Sequence, residues 1–276
     1  MEGEGGPWTT KKLSKVRDYL VAYQNVMLNQ NWVESVYIDA FCGSGEVKLR
    51  GARDFTEGSA LQAIGLSRNF HQYHLIEKSK TSLDRLRHQI ETRHPDRAAA
   101  VRYYPGDVNE ELPLILETLK TNHRVVIFAD PKGMQLDWST VKAVAKKPVC
   151  DFWMLVPTGM GLLRVATKDP RRMPLAWRNK MNRFLGDESW IDRWYAPTGQ
   201  RNLFDDAIDV ARTATLERMT ADFQQRLRQI FPCVADNVLH LTNGNRVLFT
   251  LMFACSNPSP AAQGRAKDIA NHLLKG

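Results

Sequence analysis

The chain has 276 residues, 38 Lys and Arg against 30 Asp and Glu, a formal charge of +8, and 43% apolar residues. That length suits one α/β domain carrying an insertion, and the composition excludes a collagen-like, coiled-coil or disordered chain. No apolar run approaches the roughly 20 residues that span a bilayer, and the basic excess permits a polyanionic partner without demanding one.

Residues 1–10 are Gly-rich, lack the apolar stretch of a signal peptide, and read as a flexible leader to a single domain over 11–276. A helical stripe of Leu13, Val16, Leu20 and Met27 predicts a helix from Lys12 to Leu28. Val36–Phe41 is a short apolar run ending in a Gly-rich turn, as a buried parallel strand does. A helix over Ala60–Arg68, a strand at Tyr73–Ile76 and a charged helix at Ser79–Arg93 follow. Next come a strand at Val101–Tyr104, a helix at Glu110–Leu119, a strand at Val125–Ala129, a helix at Trp138–Lys146 and a fifth strand at Asp151–Val156. This alternation implies a parallel sheet with helices on both faces. The rhythm breaks over 158–204, which is rich in Arg, Pro, Trp and Gly and shows no strong strand. A long amphipathic helix is expected over Asp205–Ile230, then a hairpin of Asn237–Leu241 and Val247–Ala254 about Asn243-Gly244-Asn245, then a helix over Ala262–Leu274. The fold class is therefore α/β: a doubly wound, seven-stranded, mostly parallel sheet with a terminal antiparallel hairpin and a basic helical insertion after strand five.

The four cysteines, Cys42, Cys150, Cys233 and Cys255, contain no CxxC pair. Without a secretion signal they read as reduced thiols of a cytoplasmic protein, and no metal site is expected.

In an open α/β sheet, ligands bind at the carboxyl ends of the strands near the switch point. After strand one stands Asp39-Ala-Phe-Cys-Gly43-Ser-Gly45, whose glycines allow close backbone approach. Asp39 would repel a pyrophosphate and attract an ammonium group, and Lys48 replaces the third glycine of GxGxxG. Both points disfavour a dinucleotide oxidoreductase and favour a zwitterionic amino-acid ligand. Glu77, at the tip of strand two, can accept two ribose hydroxyls or stand simply solvated. Asp107 either accepts an adenine amino group, with Val108 against the ring, or caps the next helix. Strand four delivers Asp130-Pro131-Lys132-Gly133, where proline fixes a turn that can present Asp130 to a nucleophilic amine.

This ordered set resembles a class I S-adenosylmethionine-dependent methyltransferase with a Rossmann-like fold. More narrowly, the chain resembles the three-Cys-motif partner (TcmP) family of bacteria and phages. The resemblance lies in Tyr37–Gly45, Glu57-Gly-Ser-Ala-Leu61, Leu75-Ile-Glu77, Gly106–Asn109, Phe128–Gly133, Leu136-Asp-Trp138, Asp151, Phe184-Leu-Gly186 with Trp190, and Leu248–Asn257. It implies S-adenosylmethionine as cofactor. The strand-one loop, with Asp39, Phe41, Gly43, Ser44 and Gly45, would hold the methionine part, Glu77 the ribose and Asp107 with Val108 the adenine. Ser59, Lys78 and Asp130 complete the expected cofactor-binding set. Asp130 and Lys132 are the catalytic candidates, at the tip where the acceptor meets the methyl group. The sequence departs from the pattern at Cys42, where alanine is common, and at Lys132, where an aromatic is common.

Between Arg164 and Arg183 stand seven basic residues and one acid, Asp169, with Trp177 and Met181 interleaved and Phe184 following. Arg164, Arg171, Arg172, Arg178 and Lys180 are candidate contacts to RNA or DNA. The alternatives are a solvated face with Trp177 in the core, or a surface that docks a protein. Two functions stay open: methyl transfer to a nucleic acid, or a cofactor-binding partner subunit of an adjacent radical-SAM-like three-Cys-motif protein.

Overall fold

A computed structural model describes residues 6–28, 30, 32–49, 51, 54–201 and 208–275. In chain order the elements are α1 (Pro7–Met27), β1 (Glu34–Asp39), β2 (Glu46–Lys48), β3 (Phe55–Glu57), α2 (Ser59–Ile64), β4 (Gln72–Ile76), α3 (Lys80–Arg93), β5 (Val101–Tyr104), α4 (Val108–Thr118), β6 (His123–Ala129), α5 (Trp138–Lys146) and β7 (Cys150–Val156). There follow α6 (Leu175–Leu185), α7 (Trp190–Trp194), β8 (Tyr195–Arg201), β9 (Ile208–Arg212), α8 (Leu216–Ile230), β10 (Cys233–Val234), β11 (Leu239–Asn243), β12 (Arg246–Cys255) and α9 (Pro260–Leu274).

The main sheet runs β5-β4-β1-β6-β7-β12-β10, with β11 also paired to β12. The first five are parallel. β12 runs antiparallel to β7, and β10 and β11 run antiparallel to β12. Winding proceeds outward in both directions from β1 and β6, so the switch point lies between their carboxyl ends, Asp39 and Ala129. Side chains alternate across these strands and feed two cores. Val36, Ile38, Val125 and Ile127 face the core that includes α4, α5 and α8. Tyr37, Val126 and Phe128 face the core that includes α1, α2, α3 and α9. Burial on both faces is why these strands are apolar without alternation.

Several boundaries differ from expectation. Helix α1 begins at Pro7, not Lys12, so residues 7–10 are helical rather than a flexible leader; residues 1–5 lie outside the described residues. Proline favours the first helical turn, which explains the earlier start. The short β2–β3 hairpin was not foreseen; it is clamped where the Gly58 N–H donates to the Gly45 carbonyl at 2.7 Å. The insertion extends past residue 204 and holds a β8–β9 hairpin, against the expectation of no strand. The expected helix at Asp205 is corrected accordingly: α8 begins after Thr215, whose side chain accepts from the Arg218 N–H and caps it. Residues 202–207, including Asp205, lie outside the described residues. The two-residue β10 makes an eighth strand in the sheet, too short to leave a pattern in the sequence.

Candidate functional site

The switch point opens into a cleft of about 650 Å³. Of the expected cofactor-binding residues, Phe41, Gly43, Ser44, Gly45, Ser59, Glu77, Lys78, Asp107, Val108 and Asp130 line it, as does Lys132. Asp39 does not, since it is fully buried behind the loop that follows β1.

Asp39 ends β1 fully buried. Its carboxylate accepts from the Tyr37 hydroxyl at 3.1 Å, the Phe41 N–H at 3.2 Å and the Ser59 side chain. Burial nonetheless pushes its pKa up to about 6, with the Asp130 charge adding to the rise. Gly43 (φ 60°) and Gly45 (φ 86°) take left-handed conformations that turn the chain sharply after the strand. A Cβ on Gly43 would meet no heavy atom within 4 Å, whereas one on Gly45 would strike Leu86 at 2.6 Å. Gly43 therefore keeps ligand space open, and Gly45 permits packing on α3.

Glu77 follows β4 and bridges two loops: the Gly43 N–H donates to Oε2 at 3.2 Å and the Ser79 N–H to Oε1 at 2.8 Å. Asp107 is the N-cap of α4; its Oδ1 accepts from the Asn109 N–H at 3.0 Å, which holds its carboxyl below the ordinary range. Its Oδ2 receives Lys78 at 3.2 Å. Asp107 thus caps α4 and also lines the cleft. Val108 is buried beside it. Cys42 is a buried small side chain, its thiol pushed up by burial, so it packs much as an alanine would.

The tip of β6 holds a finding the sequence reading missed. Lys12, from α1, donates to Asp130 Oδ2 in an ion pair whose side chains are 5% and 25% exposed. Trp8, Thr9, Met160 and Phe249 line the same end. A signal existed: Lys12 stands in helical phase with Val16, Tyr19 and Tyr23, and a lysine on a buried stripe requires a partner. Met160 is carried by a π-helical turn, Thr158–Leu163. That turn fits against β12 because a Cβ on Gly159 would lie 1.9 Å from the Val247 carbonyl oxygen. Pro131 is buried, while Lys132 is exposed at the rim and its backbone N–H donates to Gln135 Oε1 at 2.8 Å.

The basic candidates lie apart from the cleft's lining, in the insertion. Arg171 and Arg172 both pair with Asp169, at 3.0 and 3.8 Å, and Arg178 pairs with Glu188 at 3.5 Å. Much of the charge run is therefore neutralised by nearby acids. Arg164 is exposed, and the half-buried Lys180 lies 5.5 Å from the Trp177 ring centroid. Met181 and Phe184 belong to the core, but Trp177, on the same face of α6, is 45% exposed because the first turn overhangs the core. The alternative that placed Trp177 in the core therefore does not hold. The four cysteines are free and buried, and no described helix is long and apolar enough to cross a membrane.

No family model matches the sequence, and no curated protein matches it. Among solved structures, protein LPL1258 from Legionella pneumophila, described by the family model DUF519, aligns over 99% of this chain and 94% of its own, with 13% identity and a TM-score of 0.55. Looser likenesses include the N-terminal domain of EvdMO1 with SAH bound (12% identity, 87% of this chain, 80% of that one, TM-score 0.43). Another is a putative S-adenosylmethionine dependent methyltransferase from Listeria monocytogenes (13% identity, 88% of this chain, 98% of that one, TM-score 0.39). At 13% identity the likeness to LPL1258 is one of fold alone.

Proposed function

We propose that this chain is an S-adenosylmethionine-dependent methyltransferase whose acceptor is carried by a nucleic acid. The observation that carries the reading is the convergence of the Gly43–Gly45 loop, Glu77, Asp107 and Asp130, from four parallel-strand tips, on one cleft at the switch point. The residues present fit the cofactor. Gly43 leaves open the space a Cβ would fill, and Ser59, which donates to the buried Asp39 carboxylate, lines the same cleft. Ser44 and Ser59, the latter backed by the buried Asp39, would hold the methionine ammonium, Glu77 the ribose hydroxyls, and Asp107 with Val108 the adenine. When bound, S-adenosylmethionine supplies a methyl group already activated by its sulfonium.

The chain's own work is positioning. Asp130, fixed by the Pro131 turn, orients an acceptor amine by accepting a hydrogen bond from its N–H. Lys132 stands at the rim, where its ammonium meets a phosphate. The +8 charge supports a polyanionic substrate. The resemblance to the TcmP family supports the same cofactor. A second reading, a partner subunit that docks another protein, draws on the apolar exposure of α6, where Leu175 is 71% and Trp177 45% exposed.

Calorimetry with S-adenosylmethionine and S-adenosylhomocysteine tests the reading, with binding of both expected. Silence with both, alongside binding of NAD, overturns it. Transfer of radiolabelled methyl to bulk RNA or DNA then separates an enzyme from a partner subunit.

A further inference from the structure

The turn after β6 carries no aromatic ring, since Lys132 and Gly133 follow Pro131. Rings reach the same place from elsewhere. Trp8, in the first turn of α1, and Phe249, on β12, lie 5.2 Å apart between centroids at 39°, and both line the cleft that holds Asp130. Trp8 is only half-buried. Beside it Thr9 is 3% exposed, lines the cleft, and has no hydrogen-bond partner at its Oγ1. A buried hydroxyl without a partner is costly unless a ligand supplies one. One turn on, the Lys12–Asp130 pair sets a donor directly beside an acceptor.

We propose that Trp8, Phe249, Thr9, Lys12 and Asp130 form the acceptor subsite, and that it takes a planar nitrogen heterocycle with a hydrogen-bond donor next to an acceptor. Nucleobases have that edge. Asp130 accepts the heterocycle's N–H, Lys12 and Thr9 donate to the neighbouring ring atom, and the Trp8–Phe249 pair covers one face. Lys12 is a positioning residue twice over, holding Asp130 in the resting state and sharing it with the incoming edge. The inference rests on the methyltransferase reading only for what occupies the other half of the cleft.

The test uses the full chain saturated with S-adenosylhomocysteine, so that the cofactor half is filled. A fluorescein-labelled, mixed-sequence single strand of about twelve nucleotides is titrated against an abasic strand of equal length. Aromatic stacking predicts that the base-bearing strand binds about tenfold tighter. Trp8→Ala removes most of that preference. Thr9→Val, which keeps shape and loses no bond, weakens the base-bearing strand about threefold or more and leaves the melting temperature unchanged or raised, an outcome a merely structural threonine would not give. Equal affinity for the two strands, or wild-type preference in both variants, overturns the subsite. Adenosine monophosphate competing with the strand identifies a free heterocycle as the source; failure to compete, with the preference intact, identifies a nucleic acid. If S-adenosylhomocysteine itself fails to bind, the proposed function falls; if it binds and the strands are indistinguishable, only this subsite falls.

Discussion

The two halves of the cleft are built in different ways. On the side of β1, β4 and β5, each acid is tied to the backbone just beyond it: Asp39 by the Phe41 N–H, Glu77 by that of Ser79, Asp107 by that of Asn109. On the side of β6, the groups come from distant parts of the chain, as in Lys12 with Asp130, 118 residues apart, and Trp8 with Phe249. The first half is turn chemistry that exists once the sheet forms. The second exists only when α1 and β12 have docked. Damage to the first should therefore act on ligand affinity, and damage to the second on stability and turnover together.

The largest effect is expected at Asp130. Asp130→Ala leaves the Lys12 ammonium buried and unpaired, a loss of about 2–4 kcal/mol after allowing for the exposed edge of the pair. It should also abolish any methyl transfer while cofactor affinity stays within a few fold. Urea denaturation separates the two consequences. The double variant Lys12→Met, Asp130→Asn removes both charges and should recover most of the stability but none of the activity. A double variant as unstable as the single one means that the ion pair is incidental to the fold. Asp130→Ala that is folded and fully active removes Asp130 from the mechanism.

The same division decides what was legible in the sequence. Asp39, Glu77 and Asp107 were readable because a buried strand is an apolar run and its tip is the next polar residue. Asp130 was readable for that reason too, but its partner was not. Lys12 lies one residue before the first leucine of an apolar stripe, where a lysine ordinarily reads as the solvated start of a helix. Trp8 and Thr9 follow glycine and proline, and such a stretch reads as a leader. Phe249 and Met160 carry no local signal at all, since an apolar residue on a strand or a turn says nothing of which cavity it lines. The β8–β9 hairpin was hidden because its strands pair with each other and not with the main sheet, so they carry no continuous apolar run.

The comparison sharpens at Asp107, which both caps α4 and lines the cleft. Asp107→Ser keeps the cap, since serine is as good an N-cap, but shortens the reach toward an adenine amino group. Loss of one buried hydrogen bond to an ionised acceptor, about 1.5–3 kcal/mol, predicts S-adenosylhomocysteine binding weakened roughly tenfold or more with an unchanged melting temperature. Unchanged affinity in calorimetry would leave Asp107 a cap and nothing else.

Protonation offers a third probe, because two buried groups oppose each other over one pH range. The Asp39 carboxyl is raised to about 6 in the fold by burial. The native state then holds a proton that the unfolded chain has lost, so Asp39 makes stability fall as pH rises from about 4 to 6. His74, on β4, is lowered to about 4 by burial, its Nδ1 hydrogen-bonded to the Tyr104 hydroxyl at 2.8 Å. The unfolded chain protonates first, so His74 makes stability fall as pH drops from about 6.5 to 4. Each effect is bounded near 3 kcal/mol. Relative to wild type, Asp39→Asn should lose more stability on acidification, and His74→Gln less. Chemical denaturation at pH 4.5 and 6.5 checks both signs. Binding a cationic ligand beside Asp39 should also release protons at pH 5.5, read as a dependence of the calorimetric heat on buffer ionisation enthalpy.

The smallest effects are expected in the insertion, where the sequence shows a run of positive charge and the fold shows much of it paired. Arg172 keeps a side chain 86% exposed while lying 3.8 Å from Asp169, which also binds Arg171 at 3.0 Å. A guanidinium shared with a carboxylate meets a phosphate less strongly than its formal charge implies, because the carboxylate repels the same phosphate. Arg172→Gln therefore should weaken binding of a single-stranded oligonucleotide only a few fold. One lost phosphate contact should lower the slope of log affinity against log salt by about 0.7. Asp169→Asn should act the other way. Asparagine preserves the cap that Asp169 forms on the Arg171 N–H, and the change removes the anion that faces the exposed Arg172. Affinity should rise a few fold and the salt slope should steepen, with S-adenosylhomocysteine binding unchanged. If neither substitution alters the salt slope, no phosphate passes this face. The exposed Leu175 and Trp177 of α6 then identify it as a surface for protein rather than for nucleic acid, since burial of apolar side chains, unlike counterion release, leaves almost no dependence on salt.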